Sequence, residues 1–328
     1  MAATVLGFGA LTLVVCVLAP LAGSTSIDLA KVFDRTQPFA DNVDAQVFFI
    51  ARMPRVVAAG IVGAGLALSG VVFQALLRNP LASPDTLGVS AGATLGAMLA
   101  LTARADFTVF GVSVVPLATF AGAVGSLAIV FALSMARRRG TSTTVLLLGG
   151  IAIAALLNAA GRFIQYLTAD ITGTFRTVQW MMGSLDVGSY APIVASLVPF
   201  GIACAGFATL PRVLDLVSLG EEAAEARGVD VVRTERLALV SASLSTGAAV
   251  SLGGPILFVG IIVPHIVRLI VGADHRLVLP ASALFGASFL VGCDLVARTV
   301  ASPVEVPVGV ITAIIGGPFF LWLLFRGR

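Results

Sequence analysis

The sequence carries little charge for its length. Only 11% of its 328 residues are charged, whereas 58% are hydrophobic. Soluble domains carry about 25% charged residues, so this chain has too few to cover a surface that faces water. The composition therefore excludes a soluble globular protein and predicts an integral membrane protein.

Side chains that commonly carry catalysis or bind metals are also scarce. The two histidines, His265 and His275, lie apart without an HExxH pattern, and no G-x-S-x-G elbow occurs. Cys16, Cys204 and Cys293 are isolated in apolar runs, without the spacing of metal ligands. We therefore expect no catalytic residues and no metal site in this chain.

A nucleotide-binding P-loop is missing as well. The motif G-x-x-x-x-G-K-[ST] requires a lysine, and the single lysine, Lys31, follows the first apolar run. An ATP-driven pump built on this chain would thus take its energy from another subunit. The basic residues flank apolar runs, a pattern that does not indicate nucleic-acid binding.

Long apolar runs make up most of what is present. A helix that crosses a bilayer needs about 20 apolar residues, and about ten such runs occur, near residues 2–22, 54–77, 87–103, 114–136, 143–168, 190–210, 236–252, 255–271, 278–299 and 306–325. The first run has no basic segment before it and no clear cleavage site after it, so we interpret it as a retained helix. We predict an all-α polytopic membrane protein with one transmembrane domain over residues 1–328.

The loops between these runs predict the orientation. An even number of spans places both termini on one side, and one choice of side collects most of the arginines, including those at 137–139. Basic residues favour the cytoplasmic side. Both termini and the loop at residues 212–235 are therefore predicted to be cytoplasmic, and residues 24–46 to form a solvated outer loop.

Few ionisable residues lie within the predicted spans. Arg162 is one, and Asp294 and Arg298 form a pair one helical turn apart that would neutralise itself. Transporters driven by ion gradients usually need such residues. A gradient-coupled secondary transporter therefore stays an alternative, and an intramembrane enzyme that uses His265 and His275 is a further one.

The stretch SLGEEAAEARGVD, residues 218–230, is charged and helix-forming within a largely apolar chain. Anionic lipid would repel its glutamates, so it does not suit a helix that lies on the membrane surface. Its small residues suit close approach to another protein. From the residues alone, a docking helix and a solvated connector are equally favoured.

Four stretches of the sequence resemble one protein family. They are LVSLGEEAAEARGVDV, RMPRVVAAGIVGAGLALSGVVFQALLRNPLASPDTLGVSAGA, GPILFVGIIVPHIVRLIVGADHRLVLPASALFGASFLVGCDLVAR and VEVPVGVITAIIGGPFFLWLL. In order and spacing they resemble the permease subunits of type II ABC importers, which take up iron-siderophores, haem and cobalamin. The resemblance runs from Arg52 to the C-terminus.

The resemblance implies an architecture and a set of partners. It implies a permease homodimer in the cytoplasmic (inner) membrane, with two ATPase subunits on the cytoplasmic side and a periplasmic or lipid-anchored binding protein outside. ATP and magnesium would be bound by the ATPase and not by this chain. The implied function is import of an iron-siderophore, with cobalamin and haem as alternatives.

The resemblance also implies roles for four groups of residues. Those expected to couple to the ATPase are Gly220, Glu221, Ala224, Arg227 and Gly228. Those expected to close the cytoplasmic gate are Asn79, Leu81, Ser142 and Thr143. Those expected to contact carboxylates of the binding protein are Arg52, Arg55 and Arg298, and those expected to face the substrate path are Asn158, Arg162 and Gln165.

The residues themselves leave alternatives open for two of these groups. Arg52 and Arg55 lie at the outer start of a helix, where the helix dipole disfavours cations. A partner carboxylate or a lipid phosphate would compensate for this unfavourable interaction with the helix dipole. The polar residues of the fifth span would serve equally well in hydrogen bonds between helices of one subunit, although an anionic substrate would offset the charge of Arg162.

Overall fold

The computed structural model describes residues 2–34, 36–103, 105, 107–109, 112–135, 143–168, 178–185 and 187–326. Its α-helices are α1 (Ala2–Leu18), α2 (Leu29–Val32), α3 (Val43–Gln46), α4 (Met53–Leu76), α5 (Val89–Thr102), α6 (Val114–Met135), α7 (Thr143–Thr168), α8 (Ala191–Thr209), α9 (Pro211–Ser218), α10 (Glu221–Glu225), α11 (Val231–Gly253), α12 (Val259–Val271), α13 (His275–Thr299) and α14 (Val308–Arg326). Tighter or wider helical turns occur at Ala19–Leu21, Val47–Arg52 and Pro84–Leu87. The strands β1 (Thr108–Val109) and β2 (Val112–Ser113) pair as a small antiparallel hairpin.

The apolar helices coincide with the predicted spans. Within the described residues, seven helical segments are long and apolar enough to cross a membrane, and three shorter apolar helices accompany them, namely α5, α12 and the Val308–Leu323 part of α14. The seventh and eighth runs are separate helices, because Gly254 and Phe258 adopt positive φ angles of 65° and 67° between them. The prediction of an all-α protein with about ten spans is confirmed.

Helix α4 lies at the centre of the bundle and packs against α11, α12 and α13. A β-carbon added at Gly63 would come within 2.1 Å of the Gly286 carbonyl oxygen, and one added at Gly70 within 2.0 Å of the Gly260 carbonyl oxygen. These separations leave no room for a side chain. Glycine therefore lets the backbone of α4 touch α13 and α12 directly, as small residues do between membrane helices.

The outer segment after α1 has more secondary structure than the sequence predicted. Most side chains between residues 24 and 46 are exposed, as expected of a solvated loop. However, Asp28 and Asn42 cap two short helices, α2 and α3, by accepting hydrogen bonds from the backbone N–H groups of Ala30 and Ala45. From α3 onward the chain is helical through to the end of α4, so this helical segment begins well before the apolar run that starts near residue 54.

Candidate functional site

The charged loop, residues 212–235, connects α8 to α11 through the short helices α9 and α10. The chain enters α10 at Gly220, with φ 121°, and turns away after it at Gly228, with φ 81°. Side chains with a β-carbon rarely adopt these angles, which accounts for glycine at both ends of the helix. Arg227 closes the end of α10 by donating from Nη1 to the Ala223 carbonyl oxygen at 3.0 Å.

The charged loop has one exposed side and one buried side. Glu222, Glu225 and Arg227 are exposed, and Leu219 directly before α10 is 66% exposed. Ala224, in contrast, is completely buried, because the chain folds back after α10 and the Val229 N–H donates to the Ala224 carbonyl oxygen at 3.1 Å. Contrary to the expectation from the sequence, the side chain of Ala224 is not available to a partner in this structure. The exposed Leu219 is a contact candidate that the sequence reasoning missed.

Two polar contacts attach the charged loop to the membrane helices. Glu221 accepts a hydrogen bond from Arg78 Nη2 at 2.7 Å, and Arg78 lies just beyond the end of α4. Asp215 in α9 accepts from the His275 N–H at 3.1 Å, and its carboxylate lies 2.6 Å from His275 Nδ1 at the start of α13. A displacement of the charged loop would therefore act on both α4 and α13. No sequence pattern indicates that Asp215 and His275 meet, since 60 residues separate them.

The turn after α4 is shaped by Asn79. Its side-chain oxygen accepts from the Leu81 N–H at 2.9 Å, and its carbonyl oxygen accepts from the Ala82 N–H at 3.1 Å. Arg78, immediately before it, has φ 47°, which is uncommon for a residue other than glycine. Of the other two predicted gate residues, Ser142 lies outside the described residues and Thr143 is the first residue of α7.

The segment that follows this turn packs directly on α7. A β-carbon added at Gly150 would lie 2.7 Å from the Thr86 carbonyl oxygen and 2.8 Å from Leu87 Cα. Asp85, in the same segment, accepts a hydrogen bond from the Ser90 hydroxyl. Burial raises the pKa of the Asp85 carboxyl to about 6, although the bond from Ser90 opposes part of that rise. The turn thus connects the region of the charged loop with the helix predicted to line the path.

Among the residues that the structure describes, none covers one broad face of helix α7. It packs on α5 and α6, whereas large apolar side chains elsewhere on it are exposed: Leu148, Ile151, Leu156, Phe163, Tyr166 and Leu167. Asn158 and Arg162, one helical turn apart, are exposed among them, and Gln165 is partly buried. Asn158 and Arg162 therefore do not face the interior of their own subunit, which was the alternative to a place on the path.

Two of the outer arginines are engaged within the chain. Arg52 is 5% exposed and donates to the carbonyl oxygens of Pro20, at 3.0 Å, and Thr25. Arg298 is 3% exposed and donates to those of Ala19 and Ala22, each at 3.2 Å. Both thus hold the C-terminal end of the first span in place. Their expected contact with a binding protein stays a prediction, and in this structure their donors are directed inward.

The third outer arginine belongs to what we call the outer ionic cluster, formed by Arg55, Asp294, Arg298 and Glu305. Arg55 Nε donates to Asp294 Oδ1 at 2.8 Å and Arg55 Nη1 to Glu305 Oε2 at 2.5 Å. Arg298 Nε lies 3.0 Å from Asp294 Oδ2, as the spacing of that pair predicted. The Asp294 side chain is fully buried, whereas the Glu305 side chain is 41% exposed. The four charges are balanced, two of each sign.

Comparisons with known proteins agree with this geometry. Residues 11–326 match the FecCD transport family. The cobalamin import system permease protein BtuC of Halobacterium salinarum is 44% identical over 277 residues, which cover 83% of this chain and 72% of that protein. The hemin transport system permease protein HmuU of Yersinia pestis is 38% identical over 331 residues, covering 98% and 96% respectively. A solved inward-facing structure of a metal-chelate type ABC transporter superposes with a TM-score of 0.87 at 32% identity, over 99% of this chain and 100% of that one.

Proposed function

Because the chain belongs to the FecCD transport family and is the membrane-spanning permease subunit of an ABC importer, we propose that its charged loop receives an ATPase and that α7 lines a substrate path between two copies. The chain is a transport subunit and not an enzyme. The observation that carries the path is the polar pair Asn158 and Arg162 on the uncovered face of α7.

The proposed ATPase contact is the exposed side of the charged loop. Leu219 supplies an apolar anchor, and Glu222, Glu225 and Arg227 supply charges around it. Charges at the rim of an interface contribute more to the choice of partner and to the binding register than to affinity. Two ATPase subunits, one for each permease copy, would bind ATP and magnesium, and the contacts of Glu221 and Asp215 would transmit their motion to α4 and α13.

The proposed homodimer follows from α7. Lipid can cover the exposed apolar side chains of α7, but a polar pair that faces lipid is unfavourable. That cost is relieved if a second copy places its own α7 opposite across a central path. Arg162 would then face the path, where an anionic substrate offsets its charge.

The proposed setting is a cytoplasmic (inner) membrane with both termini on the cytoplasmic side. In that orientation the charged loop and the Asn79 turn lie inside, and the outer ionic cluster lies outside. A binding protein, periplasmic or lipid-anchored, would deliver substrate to the outer face. Arg52, Arg55 and Arg298 remain the residues proposed to lie under it, although their present bonds are internal.

The proposed substrate is an organic metal chelate. Relatives are named for cobalamin and hemin transport, and the superposed structure is of metal-chelate type. Within this class we propose a ferric siderophore first, with cobalamin and haem as the alternatives. Many ferric siderophores and haem carry negative charge, which a path containing Arg162 would favour.

Uptake into proteoliposomes tests this proposal. The permease would be reconstituted with its co-purified ATPase, and ATP-dependent accumulation of a ferric catecholate, haem and cyanocobalamin would be measured separately. We expect one chelate to accumulate, Arg162→Gln to reduce its uptake while ATP hydrolysis continues, and Arg162→Lys to restore much of it. Uptake of every anionic chelate at the normal rate by Arg162→Gln would show that α7 does not line the path.

A further inference from the structure

Two adjoining cavities form one groove between α6 and α8. The first, about 530 Å³, lies at the end of the bundle that carries the outer ionic cluster, and the second, about 390 Å³, lies deeper. Pro116, Pro192 and Ser251 line both, so the two are continuous. Helices α6 and α8 each pack on α11, which provides the floor of the groove.

The deeper cavity is apolar and runs along the membrane. Its lining is mostly apolar: Leu117, Phe120, Ala195, Val198, Pro199, Ile202 and Leu244. From Pro192 to Ile202 the wall follows α8 for ten residues, which is roughly 15 Å at 1.5 Å per residue. The hydrocarbon core of a bilayer is about 30 Å thick, so the groove reaches as deep as one leaflet. An acyl chain matches both this length and this chemistry.

The cavity at the mouth is polar and carries both signs of charge. Arg55 and Glu305 line it together with Gln179, Trp180 and Ser184. A guanidinium has five N–H donors, and the bonds of Arg55 to Asp294 and Glu305 use two of them. Glu305 Oε2 is bonded to Arg55, which leaves Oε1 of the partly exposed carboxylate to accept. Tryptophan is enriched where membrane helices meet the headgroups, and Trp180 lines this mouth.

We propose that this groove is a binding site for one zwitterionic phospholipid. One of its two acyl chains lies in the deeper cavity between α6 and α8 and the other in the surrounding bilayer, its phosphate meets the unused donors of Arg55, and its ammonium meets Glu305. The paired charges at the mouth favour a headgroup that also carries both signs. An anionic headgroup would place no cation against Glu305. Each cavity has the size of a small-molecule site, about 300–1,000 Å³.

Native mass spectrometry of the protein purified in mild detergent tests the occupancy. We expect one phosphatidylethanolamine retained per chain. Ala195→Phe fills the deeper cavity and displaces a few methylene contacts, so retention should fall by roughly tenfold. Val194→Phe is the matched control, because Val194 is exposed on the same helix but does not line the groove. Equal retention in both variants, or no lipid retained by the unaltered protein, would overturn the proposal.

The headgroup is tested by competition and by fluorescence. In nanodiscs of phosphatidylethanolamine and phosphatidylglycerol, Glu305→Gln should shift the retained lipid toward phosphatidylglycerol, because the mouth then carries net positive charge. The chain has two tryptophans, so Trp322→Phe leaves Trp180 as the reporter. Adding phosphatidylethanolamine to delipidated Trp322→Phe protein should shift Trp180 emission to shorter wavelength. No shift, or the same shift with a transported chelate alone, would refute a lipid site.

Discussion

Replacing Asp294 by asparagine removes the carboxylate that both Arg55 and Arg298 contact. Asp294 is fully buried and lies 2.8 Å from Arg55 Nε and 3.0 Å from Arg298 Nε. Removing one partner of a buried ion pair costs about 3–5 kcal/mol, because an uncompensated charge stays behind. Arg55 keeps Glu305, whereas Arg298 keeps only carbonyl acceptors among the contacts described for it. We therefore expect the free energy of unfolding to fall by about 3 kcal/mol, near the lower end of that range.

The assay is unfolding of the purified protein by titration with a denaturing detergent, followed by circular dichroism. The Asp294→Asn variant should unfold at a distinctly lower concentration of denaturing detergent than the unaltered protein. Asp294→Leu combined with Arg298→Leu should recover part of the loss, because no buried charge is then left unpaired. If Asp294→Asn were as stable as the unaltered protein, the outer ionic cluster would not be holding the bundle together, and its arginines would be free to serve a partner.

Three further predictions concern the charged loop and the gate. Arg78→Glu should lower the amount of substrate transported per ATP hydrolysed in proteoliposomes. Stability should change little, since exposed ion pairs contribute about 0–1 kcal/mol. Adding Glu221→Arg should restore coupling, and unchanged coupling in the single variant would exclude a role for the contact between Arg78 and Glu221. Ala224→Leu overpacks a buried position and should destabilise the charged loop by about 1–3 kcal/mol. Less ATPase should then co-purify with the permease. Co-purification of the normal amount would mean that the surroundings of Ala224 have room for a larger side chain. The raised pKa of Asp85, about 6, means that the folded state holds this proton more tightly than the unfolded chain. Its contribution to stability is therefore present at low pH and is lost as pH rises through about 6. Asp85→Asn should flatten the dependence of the melting temperature on pH between about pH 4 and pH 6. The same pH dependence in the variant and in the unaltered protein would contradict the burial of the Asp85 carboxyl.

The positions of the membrane helices could be predicted from the sequence because a bilayer imposes a simple length and composition. Each of the ten apolar runs became a helix, and the break at Gly253-Gly254-Pro255 separated α11 from α12. These features depend on local composition, which a single sequence shows directly.

The directions of individual polar side chains could not be predicted in the same way. Arg52 and Arg298 were expected to contact a binding protein, yet their guanidinium groups bond carbonyls just after α1, a contact that only the packed bundle creates. Ala224 lies in the charged loop, but the return of the chain at Val229 covers it. Asp215 and His275 meet across two segments distant in sequence. In each case the outcome depends on tertiary contacts and not on local pattern.

Two other groups depend on a different property. Asn158 and Arg162 lie in a helix whose neighbours cover only one side, so a polar pair on the other side stays exposed. Asp294 and Arg298 are held at one-turn spacing by α13 itself. Regular secondary structure fixes such relations before any tertiary contact forms.

The proposed function requires that the charged loop receives an ATPase. The direct measurement is native mass spectrometry of the complex that co-purifies with this chain from its own membrane in mild detergent, alongside a variant with Leu219→Asp and Arg227→Glu. We predict two permease copies with two P-loop ATPase subunits, and loss of the ATPase from the variant while the permease dimer remains. Recovery of the unaltered chain without an ATPase, under conditions that keep other membrane complexes intact, would contradict the account.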